Sequence, residues 1–269
     1  MIGAIIGDTV GSVYEFANIK TKEFPLLGPC SSYTDDSILT IAVGSALLQA
    51  AERGVAPSQT LVGELRRLGR AYPSPMGGYG TRFERWLFSE KPEPYGSYGN
   101  GSAMRASPCG EIARSLEEAR SLARQSAEVT HNHPDGIRGA ETVAAAVYLA
   151  RSGADKGVIR QYIDGQLYPL RETVEQIRPG YAFEVSCRET VPQAVIAFLE
   201  SESFEDAIRT AVSLGGDSDT LTCITGAIAW AYYARQGADE GMLALQERVM
   251  GMLPRDLRET VEKWEHQLG

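Results

Sequence analysis

No apolar run in this chain reaches the roughly 18–20 residues that a bilayer-spanning helix needs; the longest candidate, from Leu221, is interrupted by Thr222, Thr225 and Gly226. Nor does the opening Met1-Ile2-Gly3-Ala4 carry the basic segment and cleavage site of a secretory signal. Cysteine is scarce. Cys30, Cys109, Cys187 and Cys223 lie far apart with no CxxC pair, which speaks against a disulfide framework and for reduced, structural thiols. An excess of positive charge is lacking as well: 26 Lys and Arg face 35 Asp and Glu, a formal net charge of −9. General affinity for nucleic acid or anionic membrane needs the opposite balance. These absences predict a cytoplasmic protein with no membrane partner and no general nucleic-acid affinity, while leaving room for a nucleotide site with local positive charge; a monomer is the expectation, though no residue pattern argues for it.

Two-residue periodicity with hairpin turns is missing too, as are low-complexity tracts, long flexible linkers and convincing repeats. What remains is helical periodicity. Ser58 stands where it could cap a helix with Leu61, Leu65 and Leu68 on one face. Residues 81–88 form a short turn carrying Phe83, Trp86 and Leu87. Residues 111–129 read as one amphipathic helix, and 139–150 as a small-residue helix built for close packing. Further helical patterns cover 191–199, 204–214, 221–234, 242–252 and 257–264. Hydrophobic residues make up 43% and charged residues 23% of 269 positions. That is ordinary for a globular protein and enough for a substantial core. The expectation is all-α: one compact orthogonal helical domain over residues 1–269, its loops gathered around a metal cleft.

Two acidic clusters suggest that cleft. Thr34-Asp35-Asp36-Ser37 precedes an apolar run over residues 38–51, and Gly215-Gly216-Asp217-Ser218-Asp219-Thr220 precedes another over 221–233. Either cluster alone reads as a helix cap, because Asp, Ser and Thr accept first-turn N–H bonds and acidic residues suit the helix dipole. A cap needs one side chain, however, and each start carries three or four oxygen-bearing residues. If the two starts meet, four carboxylates face one another, which is unfavourable unless a cation lies between them. An all-oxygen donor set suits Mg²⁺, Mn²⁺ or Ca²⁺ rather than zinc.

The loops hold the remaining chemistry. Asp8 and Glu15 stand seven residues apart, on one face if that stretch is helical. Gly7, Gly11 and Ser12 beside them would allow another helix to approach closely. Glu15 sits among Val13, Tyr14 and Phe16, an apolar setting that makes it a candidate general acid or base near a cation. Tyr95-Gly96-Ser97-Tyr98-Gly99-Asn100-Gly101-Ser102 has the composition of a phosphate cradle, and also that of an ordinary turn. Arg105, a turn later, could add positive charge there or pair with a carboxylate. Of His131 and His133, the first suits a hydrogen bond to a ligand phosphate. The second suits organisation of the turn before the next helix, and no third ligand of the right type supports zinc.

Taken in order, Gly7-Asp8, Thr34-Asp35-Asp36, Gly96-Ser97-Tyr98-Gly99-Asn100-Gly101, Met104-Arg105, His131 and the 215–220 cluster make the chain resemble the ADP-ribosylglycohydrolases. This group includes the dinitrogenase reductase-activating glycohydrolase and the ADP-ribosylarginine and ADP-ribosylserine hydrolases. The resemblance covers essentially the whole chain. It implies a compact all-α domain with a two-magnesium centre, Mn²⁺ being the alternative metal. The ligands fall on Thr34, Asp35, Asp36, Asp217, Asp219 and Thr220. Glu15 then looks like the family's glutamate near the scissile bond. Gly96, Ser97 and Tyr98 look like its diphosphate loop, with Asn100, Gly101 and His131 nearby. The chain is short for this group, so insertions that shape the acceptor side of larger relatives are expected to be missing.

The implied reaction is hydrolysis of the bond between the distal ribose of ADP-ribose and an acceptor, on an ADP-ribosylated protein or a small ADP-ribose conjugate. Departure of the acceptor would leave an oxocarbenium-like centre, as in other glycoside cleavage. Tyr95 and Tyr98 are candidates for contact with adenine. Two rival readings share the motifs. One is a non-catalytic protein that binds ADP-ribose or a nucleotide, the other a metal-dependent nucleotide phosphoesterase. Intact acidic clusters together with Glu15 disfavour the first, and the ribose-directed loop pattern disfavours the second.

Overall fold

Helix α1 (Ile2–Gly11) carries Gly3, Gly7 and Gly11 at four-residue spacing, so one face of it is bare backbone. That face lies against α12 (Ser218–Tyr233). A Cβ built on Gly3 would lie 2.2 Å from the Gly226 carbonyl oxygen, one on Gly7 2.1 Å from that of Thr222, and one on Gly11 2.4 Å from that of Ser218. Only hydrogen fits at these three points. All ten residues of α1 are buried, as are the first twelve of α12. The pair is therefore the inner axis of the protein, and the close approach expected for Gly7 and Gly11 is what the structure contains.

A computed structural model describes residues 1–268, and the other helices wrap this axis. In chain order they are α2 (Asp35–Arg53), α3 (Ser58–Ala71), α4 (Thr81–Phe88), α5 (Ser107–Ile112), α6 (Leu116–Glu128) and α7 (Pro134–Arg151). The remainder are α8 (Lys156–Gln166), α9 (Val174–Ile177), α10 (Cys187–Leu199), α11 (Phe204–Leu214), α13 (Glu240–Met252) and α14 (Arg255–Leu268). No strand occurs among the described residues, and one continuous apolar core runs from Met1 to Trp264. No described helix is long and apolar enough to cross a membrane. All four cysteines are free thiols, three of them buried.

Several local expectations change. Residues 111–129 are two helices, not one: Ser115 is extended at φ −143° and its side chain accepts the Glu118 N–H, which starts α6 afresh. Residues 81–88 form a true helix. Ser58 is the first residue of α3 rather than its cap; the preceding Pro57 holds the cap position, with no side-chain cap bond. Helix α8 had no sequence expectation, and Asp155 caps it through the Val158 N–H at 2.8 Å.

Overpacking the central contact should be costly. Gly7→Ala should destabilise the fold by about 3 kcal/mol or prevent folding. Gly63→Ala, exposed in α3 with open space around it, should be neutral or stabilise by up to about 1 kcal/mol. Urea unfolding of both variants measures the contrast, and equal stability would contradict the packing argument.

Candidate metal centre

The two acidic clusters occupy the starts of α2 and α12, and the α1–α12 contact brings those starts together. Thr220 Oγ1 donates to Asp36 Oδ2 at 3.1 Å across 184 residues of chain. At the start of α2 a cap does exist: Thr34 Oγ1 accepts the Asp36 N–H at 3.2 Å. Asp35 and Asp36 follow as the first two helical residues and are not needed for capping. The start of α12 is different, because Asp217 holds the cap position yet its side chain accepts no cap bond. It accepts instead from Asn100 Nδ2 at 2.7 Å.

Residues outside the clusters set their positions. Asp8 is fully buried on α1 and accepts from the Thr34 N–H at 2.9 Å, the Thr34 hydroxyl at 2.7 Å, the Ser37 N–H at 3.1 Å and the Ser37 hydroxyl. Helix α1 ends at Gly11, and a 3-10 turn over Ser12–Tyr14 separates Asp8 from Glu15. Asp8 holds the start of α2, while Glu15 faces the cleft. Asn18 fastens the segment after Glu15 to the second cluster. It donates to the Gly216 carbonyl at 2.9 Å and accepts the Gly216 N–H at 2.8 Å. Gly215 and Gly216 both have positive φ, 73° and 75°, so the chain can turn sharply into Asp217.

These elements enclose a cleft of about 410 Å³ lined by Glu15, Asp35, Asp36, Asp217, Asp219 and Thr220 at one end. Oxygen atoms of Glu15, Asp217 and Asp219 lie within 4.8 Å of one another. Burial is the first cause of a raised carboxyl pKa at each acid. Glu15 is pushed up to about 7, with the charges of Asp217 and Asp8 adding to burial. Asp35, Asp36 and Asp219 are pushed well above the ordinary carboxylate range by burial and then by one another's neighbourhood of negative charge. Among the described residues, no Lys or Arg forms an ion pair with any of these five acids. Glu15 Oε2 and Asp36 Oδ1 are buried with no hydrogen-bond partner. An all-oxygen site with unpartnered carboxylate oxygens and no counter-charge fits a hard divalent cation.

Other cleft walls come from the loop before α5, from His131, and from the segment entering α4. Ser97, Asn100, Gly101 and His131 line the cleft, whereas Thr34, Gly96 and Tyr98 do not. The Gly96 N–H is committed to Asn132 Oδ1 at 2.7 Å. Tyr98 is half exposed, its ring edge-on to His133 at 5.6 Å between centroids. His133 caps α7 by accepting the Asp135 N–H at 3.1 Å, as its position before the helix suggested. Tyr95 lines the cleft with its ring 5.9 Å from that of His131. His131 is buried, and burial followed by the charges of Arg105 and Arg82 holds it neutral. Arg105 pairs with no carboxylate. It is fully buried and donates to the Ser126 carbonyl at 2.9 Å and Thr130 Oγ1 at 2.8 Å.

Sequence reasoning passed over the Gly77-Gly78-Tyr79-Gly80 wall and the rim residues Phe183 and Val185. A Cβ on Gly77 would lie 2.8 Å from Glu15 Oε2, and both Gly77 and Gly78 have positive φ. The paired glycines were the available signal. Phe183 and Val185 carry none; they lie in the segment before α10, which the Asn100 N–H bond to the Val185 carbonyl at 2.7 Å ties to the cleft loop.

Comparison with known proteins follows the same outline. The family model described as ADP-ribosylglycohydrolase matches residues 1–267. The chain is similar to ADP-ribosylhydrolase ARH3 of Mus musculus, at 26% identity over 89% of this chain and 84% of that protein. It is similar to ADP-ribosylarginine hydrolase Tri1 of Pseudomonas putida (strain GB-1), at 28% identity over 88% of this chain and 70% of that protein. A solved structure titled "ADP-ribosylglycohydrolase-related protein complex" superimposes with a TM-score of 0.69 over 98% of this chain and 96% of its own, at 24% identity. That likeness concerns the fold.

Raised carboxyl pKa values give a signed prediction for the metal-free protein. A carboxyl raised in the fold binds its proton more tightly folded than unfolded, so stability falls with rising pH between its unfolded and folded values. The windows run from 3.8 to about 6 for Asp8 and from 4.5 to about 7 for Glu15. In chelator, this cluster should make the fold less stable at pH 8 than at pH 5.5. Mg²⁺ at about 100 times its Kd should raise Tm by roughly 5–10 °C at pH 8 and by clearly less at pH 5.5. Differential scanning calorimetry decides, and an equal or larger Mg²⁺ effect at pH 5.5 would contradict it.

Proposed function

The chain belongs to the ADP-ribosylglycohydrolase family, and on that premise we propose that it hydrolyses the glycosidic bond between ADP-ribose and an acceptor, reversing ADP-ribosylation. The supporting observation is the convergence of Glu15, Asp35, Asp36, Asp217 and Asp219 on one cleft without a cationic partner. Asp35, Asp36, Asp217 and Asp219, with the hydroxyls of Thr34 and Thr220, would hold two divalent cations, Mg²⁺ or Mn²⁺. Bound there, such cations supply Lewis-acid chemistry, holding substrate oxygens and lowering the pKa of a bound water.

The remaining work falls to side chains and backbone. Glu15, with a carboxyl pKa near 7, can exchange a proton close to neutral pH, taking one from the attacking water or giving one to the departing acceptor. Asn100 holds Asp217 in register through its 2.7 Å bond. In the loop before α5 the Gly99 N–H bonds Ser97 Oγ and the Asn100 N–H bonds the Val185 carbonyl. The Ser97 and Tyr98 N–H groups have no partner among the described residues and can meet phosphate oxygens. Thr130 Oγ1 already accepts from Arg105 and lies 2.7 Å from His131 Nδ1. We infer that it donates there, which leaves Nε2–H of His131 as a donor toward the same phosphates. The ring of Tyr95 beside His131 offers the flat contact for adenine.

The substrates are an ADP-ribosylated protein or a small ADP-ribose conjugate. Incubation with Mg²⁺ and ADP-ribosylated arginine, serine or nucleic acid should release free ADP-ribose from at least one. Release of phosphate instead would point to a phosphoesterase, and tight binding without product to an ADP-ribose reader. The double variant Asp217→Ala/Asp219→Ala should abolish turnover. Glu15→Gln should lower kcat by about 100-fold or more while ADP-ribose affinity changes little. Turnover retained in the double variant would refute the proposal.

A further inference from the structure

We propose that Arg105 is a positioning residue for His131: through the Thr130 hydroxyl it fixes the imidazole proton on Nε2, the ring nitrogen that opens on the cleft. The inference rests on the reading of His131 as a donor to ligand phosphate and adds the residue that makes it one. Arg105 is fully buried, and one guanidinium nitrogen, Nη2, donates both to the Ser126 carbonyl at 2.9 Å and to Thr130 Oγ1 at 2.8 Å. Its Nε and Nη1 are buried with no partner. A buried cation with two idle donors, standing in the cleft wall, favours an anion in the space beside it.

The proton count around Thr130 fixes the ring. A guanidinium only donates, whereas a hydroxyl has one proton and two lone pairs. One lone pair of Thr130 Oγ1 takes the Arg105 N–H, and His131 Nδ1 lies 2.7 Å away. Were Nδ1 protonated, Oγ1 would accept twice and its own proton would need another acceptor. Threonine hydroxyls at helix ends turn for this to the carbonyl four residues back. Here that carbonyl belongs to Ser126, and Arg105 already occupies it. Thr130 is wholly buried, so water offers no substitute. The hydroxyl proton therefore goes to Nδ1, and the ring proton to Nε2. Nε2 bonds to no other described residue and is not sealed from solvent. It faces the cleft loop so closely that a Cβ on Gly99 or Gly101 would stand 3.6 or 3.4 Å from it. Burial, then the charges of Arg105 and Arg82, oppose a second ring proton.

Arg105→Met fills the space without the donor. It frees the Ser126 carbonyl for the Thr130 hydroxyl; Oγ1 can then accept from Nδ1–H, and the ring proton leaves Nε2. In Arg105→Met/Thr130→Val no hydroxyl remains for Nδ1–H to meet, so the proton returns to Nε2. Nitrogen-15 NMR of the imidazoles at neutral pH distinguishes the tautomers, and His131→Gln identifies the His131 signals among those of the three histidines. Calorimetric titration with ADP-ribose in Mg²⁺ reads affinity without turnover. Thermal unfolding checks that each variant is folded.

The unaltered protein should carry the His131 proton on Nε2. Arg105→Met should move a measurable share of it to Nδ1 and weaken ADP-ribose binding by about 3–10-fold, the worth of one hydrogen bond. The double variant should restore Nε2–H and recover part of that affinity, which loss of charge or of packing would not do. A ring protonated on Nδ1 in the unaltered protein overturns the inference with no variant needed. So does an Arg105→Met protein that keeps Nε2–H, or a double variant that keeps Nδ1–H. Altered tautomers with unaltered affinity overturn it as well. If the unaltered protein binds no ADP-ribose, the reading of the cleft fails and this inference with it. That outcome is seen in the titration of the unaltered protein, and failure of the inference alone is seen in the variants.

Discussion

Carboxylates that must stand together without a counter-charge are the constraint around which this protein is arranged. At 4.8 Å, the separation that contains the Glu15, Asp217 and Asp219 oxygens, two ionised groups repel by about 3–4 kcal/mol at an effective dielectric near 20. Three such acids, with Asp35 and Asp36 on the same wall, would separate if the backbone allowed it. In the metal-free protein burial first, and this repulsion after it, keeps the acids protonated above the ordinary range. A divalent cation relieves the repulsion without protonation, and the fold leaves buried oxygens of Glu15 and Asp36 open for one.

Resistance to that repulsion comes from elements that share no chemistry with the site. Three glycines let α1 and α12 meet backbone to backbone, so the start of α12 cannot retreat from α1. Asp8 fixes the start of α2 to the same helix through four hydrogen bonds. Asn18 ties the Glu15 segment to Gly216 with a reciprocal pair, and Lys20 donates to the Leu214 and Tyr181 carbonyls beside it. Every carboxylate is therefore carried on a start or a turn that is fastened to α1. The helix starts help in a second way, since exposed first-turn N–H groups favour negative charge.

The helix starts were legible in the sequence because a helix start is local: oxygen-bearing residues followed by an apolar run read the same way before and after folding. Glu15 was legible for a related reason, a carboxylate in an apolar setting. Asp8 was visible as a neighbour of Glu15 and as part of a motif, but with no role, because its partners Thr34 and Ser37 lie 26 and 29 residues away. Arg105 left two readings open: it pairs with no carboxylate, and its buried guanidinium stands in the cleft wall instead, bonded to Ser126 and Thr130. The break at residues 113–115 escaped periodicity, since a hydrophobic stripe can continue across two helices that a single capping serine separates. Tyr98 sits in a motif of cleft residues yet its ring packs edge-on to His133, outside the cleft lining.

Charge is distributed unevenly along the cleft, and that polarity bears on how a substrate enters. Carboxylates crowd the end formed by α2 and α12. Arg82, Arg105 and His131 line the other side, with the Arg82 guanidinium 4.9 Å from the centre of the Tyr95 ring. A diphosphate placed among the acids would meet several negative charges at short range. Among the loop N–H groups, the neutral His131 and the two arginines it meets none. On the proposed reading the ADP portion is thus directed to the Ser97 and Tyr95 side, and the distal ribose alone reaches Glu15. The same carboxylates that call for a cation also reject the reversed orientation, so a single feature would govern both metal binding and substrate polarity.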